Sequence, residues 1–372
     1  MKKYLAVFLA VLCLLTVAGC GKNETIEVTC TVTRDGKYNS ATMSVSPEEF
    51  ESAGFQTGDS CDVEFGNGYK LTDVPFYDGY YVKTGAPVLV AYPGFDYIFI
   101  TLNNLGIWNA AGLSENESMT VRLNRSGKYS DVQETLGQVY SFAYSDYSGS
   151  EEFCNFRALS GGDLKEDFLF RGASPVDNSR GRAPYTDRLL EETGISFVID
   201  LADSEEDMAC YLLEEGFDSL YTKELFECGR VTLLSMSSAY ATEAYQQKVA
   251  EGMKAMLNSA CGPVYIHCME GKDRTGFVCT LLEALAGASY EEMCRDYMKT
   301  YENYYSVSAE GTPEKYNAIV ELYFDPFVAC LHGTEDLCEL KSAVYVQDAV
   351  NYLMAGGMTW EEAGQLREFI TK

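Results

Sequence analysis

The chain has 372 residues, of which 47% are apolar, enough to build two hydrophobic cores rather than one. Its formal net charge of -28 opposes binding to nucleic acid and to anionic headgroups, because a polyanion meets repulsion before short-range contacts form. With 2 histidines, and 13 cysteines of which none form a Cys-x-x-Cys pair, it lacks the ligand spacing of a zinc site, so neither a metal nor another cofactor is expected.

Lys2 and Lys3 open the chain, followed by an apolar run over 4–17 and then Ala18, Gly19 and Cys20. That order of charged, apolar and small residues is a secretory signal, too short to serve as a membrane-spanning helix. Val17-Ala18-Gly19-Cys20 resembles the bacterial lipobox, which implies a signal peptide over 1–19 and a lipid on Cys20. The protein would then be exported and anchored to the outer face of the bacterial cytoplasmic membrane, in the cell envelope, where thiols tend to oxidise. Behind the leader an odd number of cysteines remains, so one thiol has no intramolecular partner, and Cys268 is the candidate. Cys30 with Cys61, and Cys330 with Cys338, are candidate pairs, but the connectivity stays open.

Residues 20–125 are expected to form an N-terminal β domain, a small barrel or sandwich. The runs 26–32, 87–92 and 97–102 read as strands broken by Gly, Asn, Asp and Pro. Residues 126–160, rich in Ser, Tyr, Gly and acids without a long apolar run, read as a loosely docked connector. From 161 onward, short apolar runs alternate with helical patterns: a strand at 167–171, a helix near 185–192, a strand at 195–201 and an acidic helix over 204–215. A long amphipathic helix at 241–259 leads to the apolar strand 263–267. Helices dominate after that and close with 347–354 and 359–370. Such alternation predicts an α/β domain over 161–372 with a central, mainly parallel sheet flanked by helices.

The strand 263–267 runs into His267, Cys268, Met269, Glu270, Gly271, Lys272, Asp273, Arg274, Thr275 and Gly276, and a helical pattern follows. A strand–loop–helix turn of this length aims consecutive backbone N–H groups and a helix N-terminus at one spot, which is a cradle for an anion such as phosphate. Thiolates are favoured there, so Cys268 is the candidate nucleophile. Arg274 offers the planar fork that holds two phosphate oxygens. Residues 269–274, with His267 and Arg171, form the candidate phosphate-binding set. Plainer readings stand beside these: a disulfide-bonded Cys268, an Arg171 that braces the loop, Asp200 and Asp203 as strand-end caps, and Glu205-Glu206-Asp207 as a complement to a helix dipole.

Residues 267–276 resemble the signature of cysteine-dependent protein-tyrosine phosphatases, and Gly271-Lys-Asp-Arg-Thr-Gly276 resembles the atypical bacterial secreted tyrosine and lipid phosphatases. The resemblance covers 161–372 and includes Phe170-Arg171-Gly-Ala-Ser-Pro175, Val198-Ile-Asp-Leu201 and Asp296-Tyr297. It implies a tyrosine-phosphatase fold, phosphotyrosine proteins as partners, a phosphocysteine intermediate on Cys268 and no metal. It further implies that Thr275 donates to the sulfur, that His267 orders the loop from behind, and that Asp273 protonates the leaving oxygen. Glu270 departs from the small residue usual at its place, and Ala202 stands where Arg is frequent; both weigh against highly anionic phosphoinositides. Hydrolysis of inositol phosphates or other small phosphorylated molecules is the enzymatic alternative, and a non-catalytic phosphate-binding protein is the other.

Overall fold

The computed structural model describes residues 25–36 and 38–372, so the expected signal peptide and the expected lipid site at Cys20 lie outside the described residues. The chain divides into two compact units. One contains the described residues up to Tyr80 together with Ala86–Gln133, and the other contains Tyr81–Gly85 and Glu134–Lys372.

The first unit is a closed barrel of β1 (Glu27–Arg34), β2 (Ala41–Met43), β3 (Ser60–Phe65), β4 (Lys70–Tyr77), β5 (Pro87–Val90), β6 (Phe99–Leu102) and β7 (Glu117–Arg125). Its strand order is β1-β2-β6-β5-β4-β3-β7, with β4 and β5 parallel and the other neighbouring strands antiparallel. Alternation selects the inside: Met119 and Val121 of β7 are buried while Ser118 and Thr120 between and beside them are not. Closure removes the exposed edges that a sandwich would have to protect. The short helix Pro47–Ser52 is started by a capping box of Ser46 and Glu49, and it drops Phe50 into the core against Phe55, with ring centroids 4.0 Å apart.

No disulfide joins the described cysteines, and the barrel explains why the candidate Cys30–Cys61 pair does not form. Cys30 lies opposite Met119, and Cys61 opposite Leu123, on the two flanks of β7. Two strand spacings of about 4.8 Å plus a four-residue offset exceed the ~7 Å that a disulfide can bridge between Cα atoms. Cys330 and Cys338, the second candidate pair, are not bonded either.

The second unit carries β8 (Arg157–Ala158), β9 (Leu169–Gly172), β10 (Phe197–Asp200), β11 (Val231–Leu233) and β12 (Val264–His267) in the order β11-β10-β12-β9-β8. The sheet is mixed: β11, β10, β12 and β9 pair in parallel, and the edge strand β8 is antiparallel. Register sorts its residues into rows. Val198, Tyr265 and Phe170 lie side by side on one face, packed with Leu189 and Leu190 of the helix Ala183–Thr193 and with Phe153 and Phe156. Ile199, Ile266 and Arg171 form the row on the other face, where the helix Glu243–Ser259 approaches so closely that a Cβ at Gly252 would stand 3.4 Å from Ile199. The third row, Asp200, His267 and Gly172, ends the parallel strands and delivers the chain into the loops of the site.

Two expectations are corrected here. No separate connector spans 126–160: residues up to Gln133 go with the barrel, and the rest belong to the second unit, where Phe153, Asn155 and Phe156 are buried. The acidic helix expected over 204–215 is only Glu205–Tyr211, begun by a Ser204–Asp207 capping box and followed by turns that reach Gly216 at φ +86°. Glu214 and Glu215 would have placed negative charge on the negative end of its dipole.

Candidate active site

At the end of β12 the backbone leaves the sheet at His267, loops through 268–272, and enters the helix Asp273–Leu285. Gly271 makes the loop sterically feasible. Its φ is +66°, and a Cβ there would lie 2.2 Å from the carbonyl oxygen of Gly172. The same helix can pack against Tyr290–Tyr305 because Gly276 stands where a Cβ would come within 2.7 Å of the Tyr297 ring.

The carbonyls of 268–272 all find donors away from the loop's centre. Cys268 O lies 3.3 Å from His267 Nδ1, and Met269 O accepts from Ser174 N at 2.9 Å. Glu270 O accepts from Tyr304 Oη at 2.9 Å, and Lys272 O from Gly276 N at 2.8 Å. Gly271 O accepts from Arg171 Nη2 at 2.8 Å and from Asn155 Nδ2 at 3.3 Å. Because a peptide's N–H points opposite to its C=O, a row of carbonyls drawn backward turns amides forward, into an anion-binding nest. The amides of Met269, Glu270 and Gly271 donate to no protein atom among the described residues.

Around that nest, Cys268 is buried with 4% exposure, and Arg274 is buried with Nη1 donating to Met236 O at 3.0 Å. Thr275 is fully buried and its Oγ1 has no hydrogen-bond partner among the described residues, a costly state for a hydroxyl unless another atom makes use of it. Met269 is half-buried. Lys272, with a side chain 12% exposed, lies 3.2 Å from the carboxylate of Asp273, which is 53% exposed. The two other acids at the strand ends are enclosed. Asp200 accepts from the amides of Ala202 at 2.8 Å and Asp203 at 3.1 Å, and burial pushes its carboxyl above the ordinary value against those donors. Asp203 is likewise buried, 3.4 Å from Tyr211 Oη.

Arg171 is placed differently from the phosphate contact entertained for it. It is fully buried, its Nη1 bonds Asp296 Oδ2 at 2.5 Å, and its Nη2 holds the loop carbonyl of Gly271. It braces the loop from behind. Arg157 reaches the other oxygen of Asp296 at 2.8 Å. Burial alone would raise the Asp296 carboxyl, but the two guanidiniums outweigh it and hold it below its ordinary value.

His267 is fully enclosed, with Nε2 3.8 Å from Asp200 Oδ2. Burial pushes it down to about 4, despite the opposing pull of Asp203, so it is neutral at pH 7. A carbonyl can only accept, so Nδ1 carries the proton and donates it to Cys268 O.

Several residues of this arrangement carried no signal in the sequence. Asn155, Arg157 and Tyr304 lie far from the loop along the chain, as do Arg180 and Arg182, whose guanidiniums face Glu270 at 3.9 and 3.8 Å. Asn155 had one local cue, since asparagine tolerates the left-handed backbone it adopts at φ +52°.

A model of the tyrosine phosphatase family matches residues 149–371. Among solved structures, the crystal structure of P. aeruginosa TpbA is 17% identical over 58% of this chain and 90% of its own, with a TM-score of 0.23. That of an uncharacterized conserved protein from Thermotoga maritima is 12% identical over 29% of this chain, with a TM-score of 0.23. The chain spans 42% of that Thermotoga protein. No curated protein matches the sequence.

The state of His267 has a consequence for stability. Its folded value near 4 lies below the unfolded 6.5, so the unfolded chain binds the proton first and stability falls as pH drops from 6.5 towards 4. The full effect is of the order of 3 kcal/mol. Urea unfolding between pH 7 and 4.5 should show this slope in the parent chain and lose it in His267→Asn; an unchanged slope in the variant would refute the assignment.

Proposed function

The chain belongs to the tyrosine phosphatase family, and from that premise we propose that it hydrolyses phosphomonoesters, phosphotyrosine foremost, through a phosphocysteine intermediate on Cys268. The observation that carries this reading is the loop 268–272, whose carbonyls are tied back while the amides of Met269, Glu270 and Gly271 keep no acceptor among the described residues.

In the proposed reaction the phosphate group sits on those amides and on the N-terminus of the helix Asp273–Leu285, with the Arg274 guanidinium on two of its oxygens. The Cys268 thiolate attacks phosphorus, the sulfur–phosphorus bond forms as the phosphorus–oxygen bond to the substrate breaks, and the departing oxygen takes a proton from an acid. Water then attacks phosphorus, giving its proton to the acid deprotonated in the first step, and the sulfur–phosphorus bond breaks to release inorganic phosphate. The leaving sulfur accepts a hydrogen bond from Thr275, whose buried hydroxyl has no other partner among the described residues. Asp273 serves as the acid. Its exposed carboxyl opens the helix beside the loop, whereas Asp200 and Asp203 are enclosed and engaged with backbone or tyrosine donors. His267, neutral, holds the Cys268 carbonyl and takes no proton.

The leader supports export and a lipid on Cys20, so the substrates proposed are phosphotyrosine proteins or phosphorylated small molecules met at the cell envelope. Among the described residues no helix is long and apolar enough to cross a membrane.

Cys268→Ser tests the reading as a whole: it should keep inorganic phosphate or vanadate binding while turnover of an aryl phosphate falls by several orders of magnitude. Turnover near that of the parent chain would refute it. For the acid, the leaving group decides, since a phenolate departs with little protonation and an alkoxide needs much. Asp273→Asn should therefore slow phosphoserine far more than an aryl phosphate with a good leaving group, and flatten one limb of the pH–rate profile; equal slowing of both would take the acid role away from Asp273.

A further inference from the structure

Glu270 brings a carboxylate into the loop that is to receive a phosphate dianion, and like charges at such a distance repel strongly where water is scarce. The structure surrounds that carboxylate with cations. Its Oε1 lies 3.8 Å from Arg182 Nη1 and 3.9 Å from Arg180 Nε, and the three side chains are 11%, 4% and 9% exposed. Both arginines come from the segment between β9 and the helix Ala183–Thr193, and aromatic rings fix both. Arg180 lies over Phe142 at 4.5 Å, and Arg182 over Tyr304 at 4.2 Å and Phe153 at 5.3 Å. The same Tyr304 donates to the backbone carbonyl of Glu270, so one ring positions both the loop and the cation beside it.

The separations are too long for a bidentate ion pair, so this is a charge cluster rather than a fork-to-fork clasp. Nε and Nη1 of Arg182 are buried with no hydrogen-bond partner among the described residues. A desolvated guanidinium in that condition is costly unless an anion stands close, and the Glu270 carboxylate is the anion within 4 Å. The dependence runs both ways. Without the arginines the Glu270 charge would oppose the substrate's own charge in the nest.

We infer that Arg180 and Arg182 are positioning residues of the phosphate site: they neutralise Glu270, hold its carboxylate off the nest, and leave one net positive charge beside the incoming anion. This rests on the reading of 268–274 as a phosphate site.

The test is a mutant cycle in the full chain, read as the dissociation constant of inorganic phosphate and as KM and kcat on an aryl phosphate. Glu270→Gln should tighten phosphate binding, because two cations then face the anion without their counter-charge. Arg180→Met with Arg182→Met should weaken it roughly tenfold, mainly through KM. Adding Glu270→Gln to that pair should restore binding to within about threefold of the parent, a rescue that a merely structural role would not give. A combined variant as weak as the arginine pair would mean that the arginines meet the anion themselves, and a Glu270→Gln chain that binds phosphate more weakly would mean that the carboxylate serves the site directly; either result overturns the inference. Should the buried Arg182 variant fail to fold, Glu270→Gln and Arg180→Met decide it alone, by tightening and weakening respectively or by failing to. A parent chain without phosphate binding or turnover would remove the phosphate-site reading as well, whereas an active parent with no coupling in the cycle would remove only this inference.

Discussion

The backward pull on the carbonyls of 268–272 is the constraint on which the rest of the site depends. The Gly276 amide of the helix holds the Lys272 carbonyl, and five donors from elsewhere in the second unit hold the others: the His267 ring, the Ser174 amide, the Tyr304 hydroxyl, the Arg171 guanidinium and the Asn155 amide group. Each bond alone is worth about 1 kcal/mol net. Their joint effect is geometric, since they leave the loop amides no other direction than the nest. The strongest of the five is itself anchored, because Arg171 and Arg157 share Asp296 inside the protein. Removing one member of such a buried set leaves an uncompensated charge and costs about 3–5 kcal/mol. Integrity of the fold and shape of the site therefore depend on the same ion pair.

Electrostatics follow the same economy of place. The chain carries a formal charge of -28, yet Arg274, Lys272, Arg180 and Arg182 converge on the short stretch around the loop, joined by the positive end of the helix Asp273–Leu285. A surrounding excess of acid is screened within about 8 Å at physiological salt, so it governs solubility and partner choice, not the field inside the nest. Inside, burial decides protonation: His267 is kept neutral and can act as a fixed donor, and Asp200 is pushed upward and tied to backbone amides. The exposed Asp273 is left as the acid proposed for the departing oxygen.

What could be seen in the sequence was what lies contiguous in it. The proposed nucleophile, the arginine, the threonine and the mid-loop glycine sit within ten residues between an apolar strand and a helix, β10 and β12 followed from apolar runs, and the helix Glu243–Ser259 followed from its amphipathic pattern. The braces are long-range and leave no such trace. Arg157 and Asp296 are 139 residues apart, and Arg171 and Asp296 are 125 apart. For Arg171 the sequence left a phosphate contact and a loop brace side by side, and its full burial and its bond to Gly271 O select the brace. Composition misled over 126–160 for a related reason: Ser, Tyr and Gly suggested a loose connector, but Phe153 and Phe156 pack under the sheet and Asn155 holds the loop. In the barrel, alternation revealed strands but not closure, because strand order is a property of pairing and not of any one run.

The most direct test of the mechanism is a rapid acid quench of the full-length protein during turnover of a radiolabelled aryl phosphate, followed by peptide mapping of the label. A phosphocysteine route predicts a transient label on the peptide that contains Cys268, formed and lost at rates that account for turnover. Undiminished turnover with no label on that peptide, or with label on another residue, would contradict it.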